Sequence, residues 1–194
     1  YVYGAVLYDT DDNRFLRFGT FDTYSRELSD GTGDIFPWIQ PEGRVLWYAE
    51  NTMDTEGGSS NGNSFALMKD TETNQFHIYK FYAYSNAYKR AYYAINSSLA
   101  TGINDAKLFA FSSKRSMFLY AVGKTLYAYD YNKGYEKLYK MELDDEITML
   151  KFDIQSNTTY NDLYIATYNS TTGGTLQKYV LGTDQNKFEL TPDE

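Results

Sequence analysis

Residues 5–15 read AVLYDTDDNRF, and the same pattern returns at residues 66–76 as ALMKDTETNQF. The two stretches share Ala, Asp, Thr, Asn and Phe at matching positions. A third copy reads LYAYDYNKG at residues 126–134, and a looser fourth reads LQKYVLGTDQNKF at residues 176–188. Self-similarity at a spacing of roughly 50 to 60 residues indicates an array of supersecondary units that bury their apolar faces against their neighbours. The repeat therefore predicts architecture, and it says little about function.

The third copy belongs to the clearest unit, in which short alternating apolar runs are separated by polar turns. Four strands are expected there, at residues 107–111, 117–122, 126–131 and 137–143, with a polar turn at 112–115. The next unit repeats this order at residues 148–152, 162–167, 176–181 and 187–190. Such runs are typical of antiparallel hairpins. In this alignment Leu119-Tyr120-Ala121 and Leu163-Tyr164-Ile165 occupy the same structural position.

Two earlier units precede these, and the second of them is also expected to hold four strands. Leu46-Trp47-Tyr48 is expected in the second strand of one of them, with residues 64–69 and 75–81 completing its last hairpin. Residues 85–95 are the one stretch whose pattern is compatible with a helical turn. The predicted units then span about 2–18, with only two strands, followed by 34–81, 107–143 and 148–190.

Four antiparallel strands per unit form the blade of a β-propeller. The sequence thus predicts an all-β fold, with residues 1–194 forming one propeller portion of four-stranded blades. About three and a half blades are fewer than the roughly four to eight that close a ring. We therefore expect a partial ring whose missing blades lie upstream in a longer parent chain.

The composition agrees with a sheet protein and excludes several kinds of site. The chain of 194 residues has 21 Tyr and 12 Phe, and aromatic residues suit pleated, half-buried surfaces. Its net charge of −8 and its lack of a basic cluster disfavour nucleic acid as a partner. The chain has no cysteine, which excludes disulfides and thiolate metal sites, and no apolar run long enough to span a bilayer.

Polar motifs in the chain favour structural roles over chemistry. Asp9-Thr10-Asp11-Asp12-Asn13 resembles a calcium loop in its alternating oxygens, but it lacks the glycine and the distal acid of an EF-hand. Because Asp and Asn suit hairpin tips, we interpret it as a turn. His77, the only histidine, lies in an expected strand and favours a packing or surface role. The sequence predicts no metal site, no cofactor and no catalytic residue.

Two long expected connections, at residues 20–44 and 82–106, contain the candidate ligand contacts. Long connections of a propeller project from one face and line the central entrance. Trp38 lies in the first, and Tyr88, Arg90 and Tyr92 lie in the second. Aromatic rings beside a cation suit stacking on a sugar or binding to a peptide. The alternative is that these aromatic residues pack at blade edges.

The strands also resemble a known family. The stretches YAVGKTLYAYD at residues 120–130, ITMLKF at 147–152 and DLYIATY at 162–168 resemble the C-terminal propeller of the PKD-like family of Gram-negative lipoproteins. The resemblance covers residues 107–190. It implies a lipidated precursor with immunoglobulin-like modules before the propeller, attached to the outer membrane beside uptake machinery. It implies no catalytic residues.

Three functions remain open at this stage. The preferred one is a non-catalytic binding or scaffold module of a surface or periplasmic lipoprotein, with a glycan or a partner uptake protein as its ligand. The second is a propeller-fold polysaccharide lyase or hydrolase that uses acids such as Asp54, Glu56 or Asp144. The third is a purely structural repeat that holds other domains apart.

Overall fold

The computed structural model describes residues 2–9, 14–22, 27–29, 44–51, 63–70, 73–84, 87–112, 115–132, 136–152, 162–184 and 186–193. The chain divides into two units, Tyr1–Ile95 and Asn96–Glu194. The described parts of both are all-β, with antiparallel sheets and a single 3-10 turn at Ile103–Asp105. The prediction of an all-β chain built from antiparallel strands is confirmed.

The first unit contains two sheets. The first sheet has the order β1-β2-β3, with strands β1 (Val2–Asp9), β2 (Arg14–Asp22) and β3 (Glu27–Ser29). The second sheet has the order β4-β5-β6-β7, with strands β4 (Arg44–Asn51), β5 (Asn63–Lys69), β6 (Phe76–Tyr84) and β7 (Ala87–Ala94).

The second unit also contains two sheets, each with four strands in sequential order. The third sheet comprises β8 (Leu108–Ser112), β9 (Met117–Val122), β10 (Thr125–Asp130) and β11 (Lys137–Glu142). The fourth sheet comprises β12 (Glu146–Phe152), β13 (Asp162–Asn169), β14 (Gly173–Leu181) and β15 (Leu190–Pro192).

The strand predictions are accurate in the second unit and displaced in the first. All four expected strands of the third sheet are present, and in the fourth sheet only the last strand begins later than expected. In the first unit, β3 extends the expected pair of strands, and β7 occupies much of the expected connection at residues 82–106. The predicted place of Leu46-Trp47-Tyr48 in a second strand is wrong, because these residues lie in β4, the first strand of its sheet. The two strands expected to end this unit are its middle strands, β5 and β6, since β7 follows them. The prediction that residues 85–95 could contain a helical turn is wrong, because the Tyr-rich strand β7 pairs with β6 as a hairpin.

The third and fourth sheets stack on one another with the same strand order and the same strand directions. β12 lies against β8, so first strand meets first strand. At one end the amide of Ile147, the second residue of β12, donates to the carbonyl of Gly123 at 2.9 Å. At the other end the loop at residues 182–189 receives hydrogen bonds from Arg115 and Tyr139. Corresponding ends and corresponding strands of the two sheets therefore lie together. The face of the third sheet that carries Leu119 and Leu126, which we call its back, thus meets the face of the fourth sheet that carries Leu163 and Ile165, which we call its front. The opposite faces are the front of the third sheet and the back of the fourth.

This stacking corrects one sequence equivalence. Leu126 and Leu176 occupy the same position in their third strands, and they pair with Ala121 and Ala166 respectively. Counting along the second strands, Leu119 therefore corresponds to Tyr164 and not to Leu163. The predicted match of the two Leu-Tyr tripeptides is wrong by one residue, which exchanges the faces of the sheet. The shared Leu-Tyr pair is misleading because, in a sheet with both faces buried, an apolar residue fits on either face.

The core of the second unit lies between the two sheets. The back face of the third sheet contributes small and aliphatic side chains, and the front face of the fourth contributes branched ones. The buried members of this layer are Ala110, Met117, Leu119, Ala121, Leu126, Ala128, Ile147, Leu150, Leu163 and Ile165. Burial of such side chains is the main favourable contribution to folding, at about 1.5–3 kcal/mol for each large one.

The front face of the third sheet is aromatic. Tyr120 and Tyr127 stack with ring centroids 4.8 Å apart, and Phe118 contacts both Tyr120 and Tyr129. The segment that contains the 3-10 turn satisfies the two buried hydroxyl groups: Tyr120 donates to the carbonyl of Thr101 at 2.7 Å, and the amide of Asn96 donates to Tyr129 at 3.0 Å. Burial raises the pKa of both tyrosines above the usual 10.0, with neighbouring tyrosine rings adding to the effect at Tyr120.

Three of the sheets share a bulge in their first strand. The registers of β1, β4 and β12 each skip one residue, so Gly4, Leu46 and Thr148 have no direct partner on the neighbouring strand. In each case the extra residue is the third of the strand, and the strand lies at an edge of its sheet. A bulge of this kind bends the strand and increases its twist.

Candidate functional site

The predicted ligand contacts fall mostly on one strand. Tyr88, Arg90 and Tyr92 occupy alternate positions of β7, the edge strand of the second sheet, and pair with Ala83, Phe81 and Tyr79. Alternate positions of a strand share a face, so the backbone brings these three residues to one side of β7. Trp38 lies outside the described residues. The expected connection is therefore a strand, and the three positions remain together.

The acids considered for catalysis are only partly described. Asp54 and Glu56 lie outside the described residues. Asp144 is exposed between β11 and β12, where its carbonyl accepts a hydrogen bond from Lys124. The neighbouring Asp145 accepts from the side-chain amide of Asn169 at 2.6 Å. In the described part of the chain, no group of three His, Cys, Asp or Glu is arranged to hold a metal ion.

His77 lies in β6, as expected for a strand residue, and pairs with Met68 and Ala94. It is half-buried, and this burial lowers its pKa below the usual 6.5 even though Asp70 acts in the opposite direction. His77 is the second residue of β6, and its lowered pKa means that the imidazole binds a proton at a higher pH in the unfolded chain than in the folded one.

The Asp of each described repeat copy forms a turn. The carboxylate of Asp70 accepts from the amide of Thr73 at 2.8 Å, that of Asp130 from Asn132 at 2.9 Å, and that of Asp184 from Asn186 at 2.9 Å. Asn74 completes the first of these turns with a φ of 58°. These local hydrogen bonds account for the Asp at hairpin tips without a bound ion. The corresponding tip at residues 10–13 lies outside the described part of the chain.

Three large apolar side chains are exposed on the back of the fourth sheet. Leu176 is 64% exposed, Tyr168 53% and Val180 40%. The register places all three on the same side of β13 and β14, together with Met149 and Tyr164. We name this surface the open face and define it by Met149, Lys151, Tyr164, Ala166, Tyr168, Leu176, Lys178 and Val180.

The open face is flat at one end and charged at the other. Tyr168 pairs with Gly174, where an added methyl group would lie 3.9 Å from the ring, so the aromatic ring lies beside bare backbone. At the opposite end, Lys178 contacts Asp162 at 3.1 Å and Asp193 at 2.5 Å. Hydrogen bonds to Asp193 first, and then to Asp162, raise the pKa of Lys178 above its usual 10.5. The face therefore combines an apolar centre with a neutralised cation.

Sequence reasoning assigned these residues to strands and missed the surface that they form. The signal was present, because β14 carries Leu176 and Val180 on one side and Tyr179 and Leu181 on the other. Apolar residues on both sides of a strand indicate burial of both faces. The exposed fractions show that only one of these faces is covered.

Comparison with known proteins adds no identification. The chain matches no protein-family model and no curated protein. No helix in the described ranges is long and apolar enough to cross a membrane.

Proposed function

We propose that the chain is part of a β-propeller that serves as a non-catalytic binding or scaffold module of a lipoprotein in the bacterial cell envelope. The observation that carries the proposal is the front-to-back stacking of the third and fourth sheets, with β12 against β8. Blades of a propeller are four-stranded sheets that repeat around a channel, and such repetition requires opposite faces to meet. A face-to-face sandwich of two sheets would not repeat in this way.

A second observation supports blades over separate sheets. Arg115, in the connection between β8 and β9, is only 3% exposed and donates from its guanidinium to the carbonyls of Gly182 and Lys187. Tyr139 of β11 donates to Asn186 in the same loop, and its ring contacts Phe188. The two sheets are thus joined through the connection between β14 and β15 as well as through the apolar core.

The proposed ligand is a glycan or a partner uptake protein in the outer membrane. Three of the candidate contacts, Tyr88, Arg90 and Tyr92, lie on one face of an edge strand. Two aromatic residues and a cation at alternate positions of a strand suit stacking on a sugar ring, and an edge strand suits pairing with a peptide. Trp38 is retained as the fourth contact on the sequence argument alone.

Binding tests the proposal directly. Glycan arrays and pull-downs from outer-membrane extracts should be run with the chain and with a Trp38→Ala, Tyr92→Ala double variant. A ligand that the double variant loses supports the binding module. The control is Tyr168→Ala, which removes an exposed aromatic ring from the fourth sheet and should leave that binding unchanged. A ligand that all three proteins bind equally would place the site elsewhere and reject these contacts.

A further inference from the structure

We propose that the open face is the docking surface for a further four-stranded sheet of the same repeat, supplied by the parent polypeptide. The stacking of the third and fourth sheets is front-to-back, and in an array that repeats this stacking each sheet would use one face toward the sheet before it and the other toward the sheet after it. The fourth sheet uses its front face against the third. Its back face is the one left for a following sheet.

Residue equivalence shows what that back face corresponds to. In the third sheet the matching positions are covered by the fourth sheet: Leu119, Leu126 and Ala128 are all 0% exposed. Their counterparts on the open face are Tyr164, Leu176 and Lys178. Leu126 and Leu176 are thus the same residue at the same position, one of them fully buried and the other 64% exposed.

The open face is unlike the outer surface of a terminal repeat. Repeat arrays require end units with a polar outer face to remain soluble. The fourth sheet instead exposes Tyr168, Leu176 and Val180 on this one face, and exposed apolar side chains of this kind indicate an interaction surface. A following sheet with the aromatic or branched side chains of the front faces already described would cover it as the fourth sheet covers the third.

Two lysines define the chemistry of the occupant. Lys151 and Lys178 occupy the positions of Ala110 and Ala128 in the third sheet. Asp162 and Asp193 already neutralise Lys178, whereas Lys151 is exposed. A buried cation requires a partner, so the docked sheet presents a carboxylate or a free carbonyl opposite Lys151.

The docking surface presupposes the propeller proposed above, but it does not depend on any ligand of that propeller. A single change on either side of β14 tests it: Leu176→Lys on the open face, and Thr175→Lys as the matched control, since Thr175 is exposed on the front face of the same strand. Both variants are made in the natural gene product and in the 194-residue chain.

In the natural gene product we expect Leu176→Lys to lower the Tm by roughly 5 °C or more, since it buries an unpaired cation. In the 194-residue chain the same change should leave the Tm almost unaltered, and Thr175→Lys should have little effect in either protein. Equal effects of Leu176→Lys in the two proteins, whether small or large, would overturn the proposal.

Thiol labelling separates the possible occupants, because the chain has no native cysteine. Cys introduced by Leu176→Cys should react at least about ten-fold more slowly in the natural gene product than in the chain, at every protein concentration. Protection that depends on protein concentration would indicate a second copy, and protection that requires added glycan would indicate a ligand site; either would overturn the proposal. A natural gene product no heavier than the chain would do the same. A glycan screen that finds no ligand would count against the proposed binding function but would not change the expected labelling rates.

Discussion

Arg115 is the polar residue whose replacement should cost the second unit most stability. Its side chain is 3% exposed, and its Nη1 and Nη2 atoms donate to the carbonyls of Gly182 and Lys187 at 3.0 and 2.8 Å. Its own amide donates to the hydroxyl of Ser112 at 3.1 Å. Burial lowers the pKa of the guanidinium, while Asp130, Tyr139 and Asp184 act in the opposite direction. An arginine nevertheless stays protonated in a protein, so this buried cation depends on its hydrogen bonds.

The expected loss for Arg115→Ala follows from these contacts. Hydrogen bonds to a charged group contribute about 1.5–3 kcal/mol each, so two of them give about 3–6 kcal/mol. Removing the buried charge recovers part of this, because its desolvation was unfavourable by several kcal/mol. The two carbonyls left unpaired and the space vacated by the side chain add to the loss. We expect a net decrease of about 3 kcal/mol in the free energy of unfolding.

Urea unfolding followed by near-UV circular dichroism measures this loss. Both tryptophans, Trp38 and Trp47, precede the second unit, so tryptophan fluorescence reports on the first unit. Arg115→Lys keeps the charge but loses the two-pronged geometry, and it should fall between the wild type and Arg115→Ala. The exposed Lys140→Ala is the matched control, expected within about 0.5 kcal/mol of wild type. A similarly small change for Arg115→Ala would refute the argument that this cation joins the two sheets.

Three further changes test local features of the fold. Asn74 has a φ of 58°, so Asn74→Ala should lower the free energy of unfolding of the first unit by about 1 kcal/mol while Asn74→Gly leaves it nearly unchanged, as measured by urea titration. Tyr120→Phe leaves the carbonyl of Thr101 without its 2.7 Å donor and should cost about 1 kcal/mol in the second unit; a neutral result would mean that water replaces the hydroxyl. Because burial lowers the pKa of His77 below 6.5, the unfolded chain binds more protons near that pH. The stability of the first unit should therefore fall as the pH decreases through about 6.5, and tryptophan fluorescence should show that His77→Phe removes this part of the dependence.

The sequence predicted the third sheet strand by strand because its turns are short and marked by residues with clear turn preferences. Gly123, with a φ of 59°, follows β9 directly, so the sequence marks clearly where this strand ends and where the next begins. In the first unit the same reasoning failed at β7, where a run of Tyr, Lys and Arg has no alternation of apolar and polar residues. Aromatic residues favour strands, but without regular alternation of apolar and polar residues they do not show where the last strand of a sheet lies.

Features that depend on distant contacts could not be predicted at all. Residues 112–115 were expected to be a polar turn, yet Arg115 is buried by a loop that follows it by about 70 residues. The open face was missed for the same reason, since the sequence shows that both sides of β14 are apolar but not which side a neighbour covers. The candidate contacts on β7 were chosen for their chemistry, and that choice remains a prediction that binding experiments must test.

The bulges at Gly4, Leu46 and Thr148 bear on how the protein avoids aggregation. Each lies in an edge strand, the part of a sheet whose free amides and carbonyls can recruit a strand from another molecule. An unpaired residue near the start of the strand interrupts the regular spacing of those groups, and Thr148 also directs its hydroxyl back to the carbonyl of Ala166 at 3.3 Å. A chain so rich in tyrosine and phenylalanine would otherwise be a good template for fibrils. We expect that removing one residue at a bulge would straighten the edge and make it easier for a strand of another molecule to pair there.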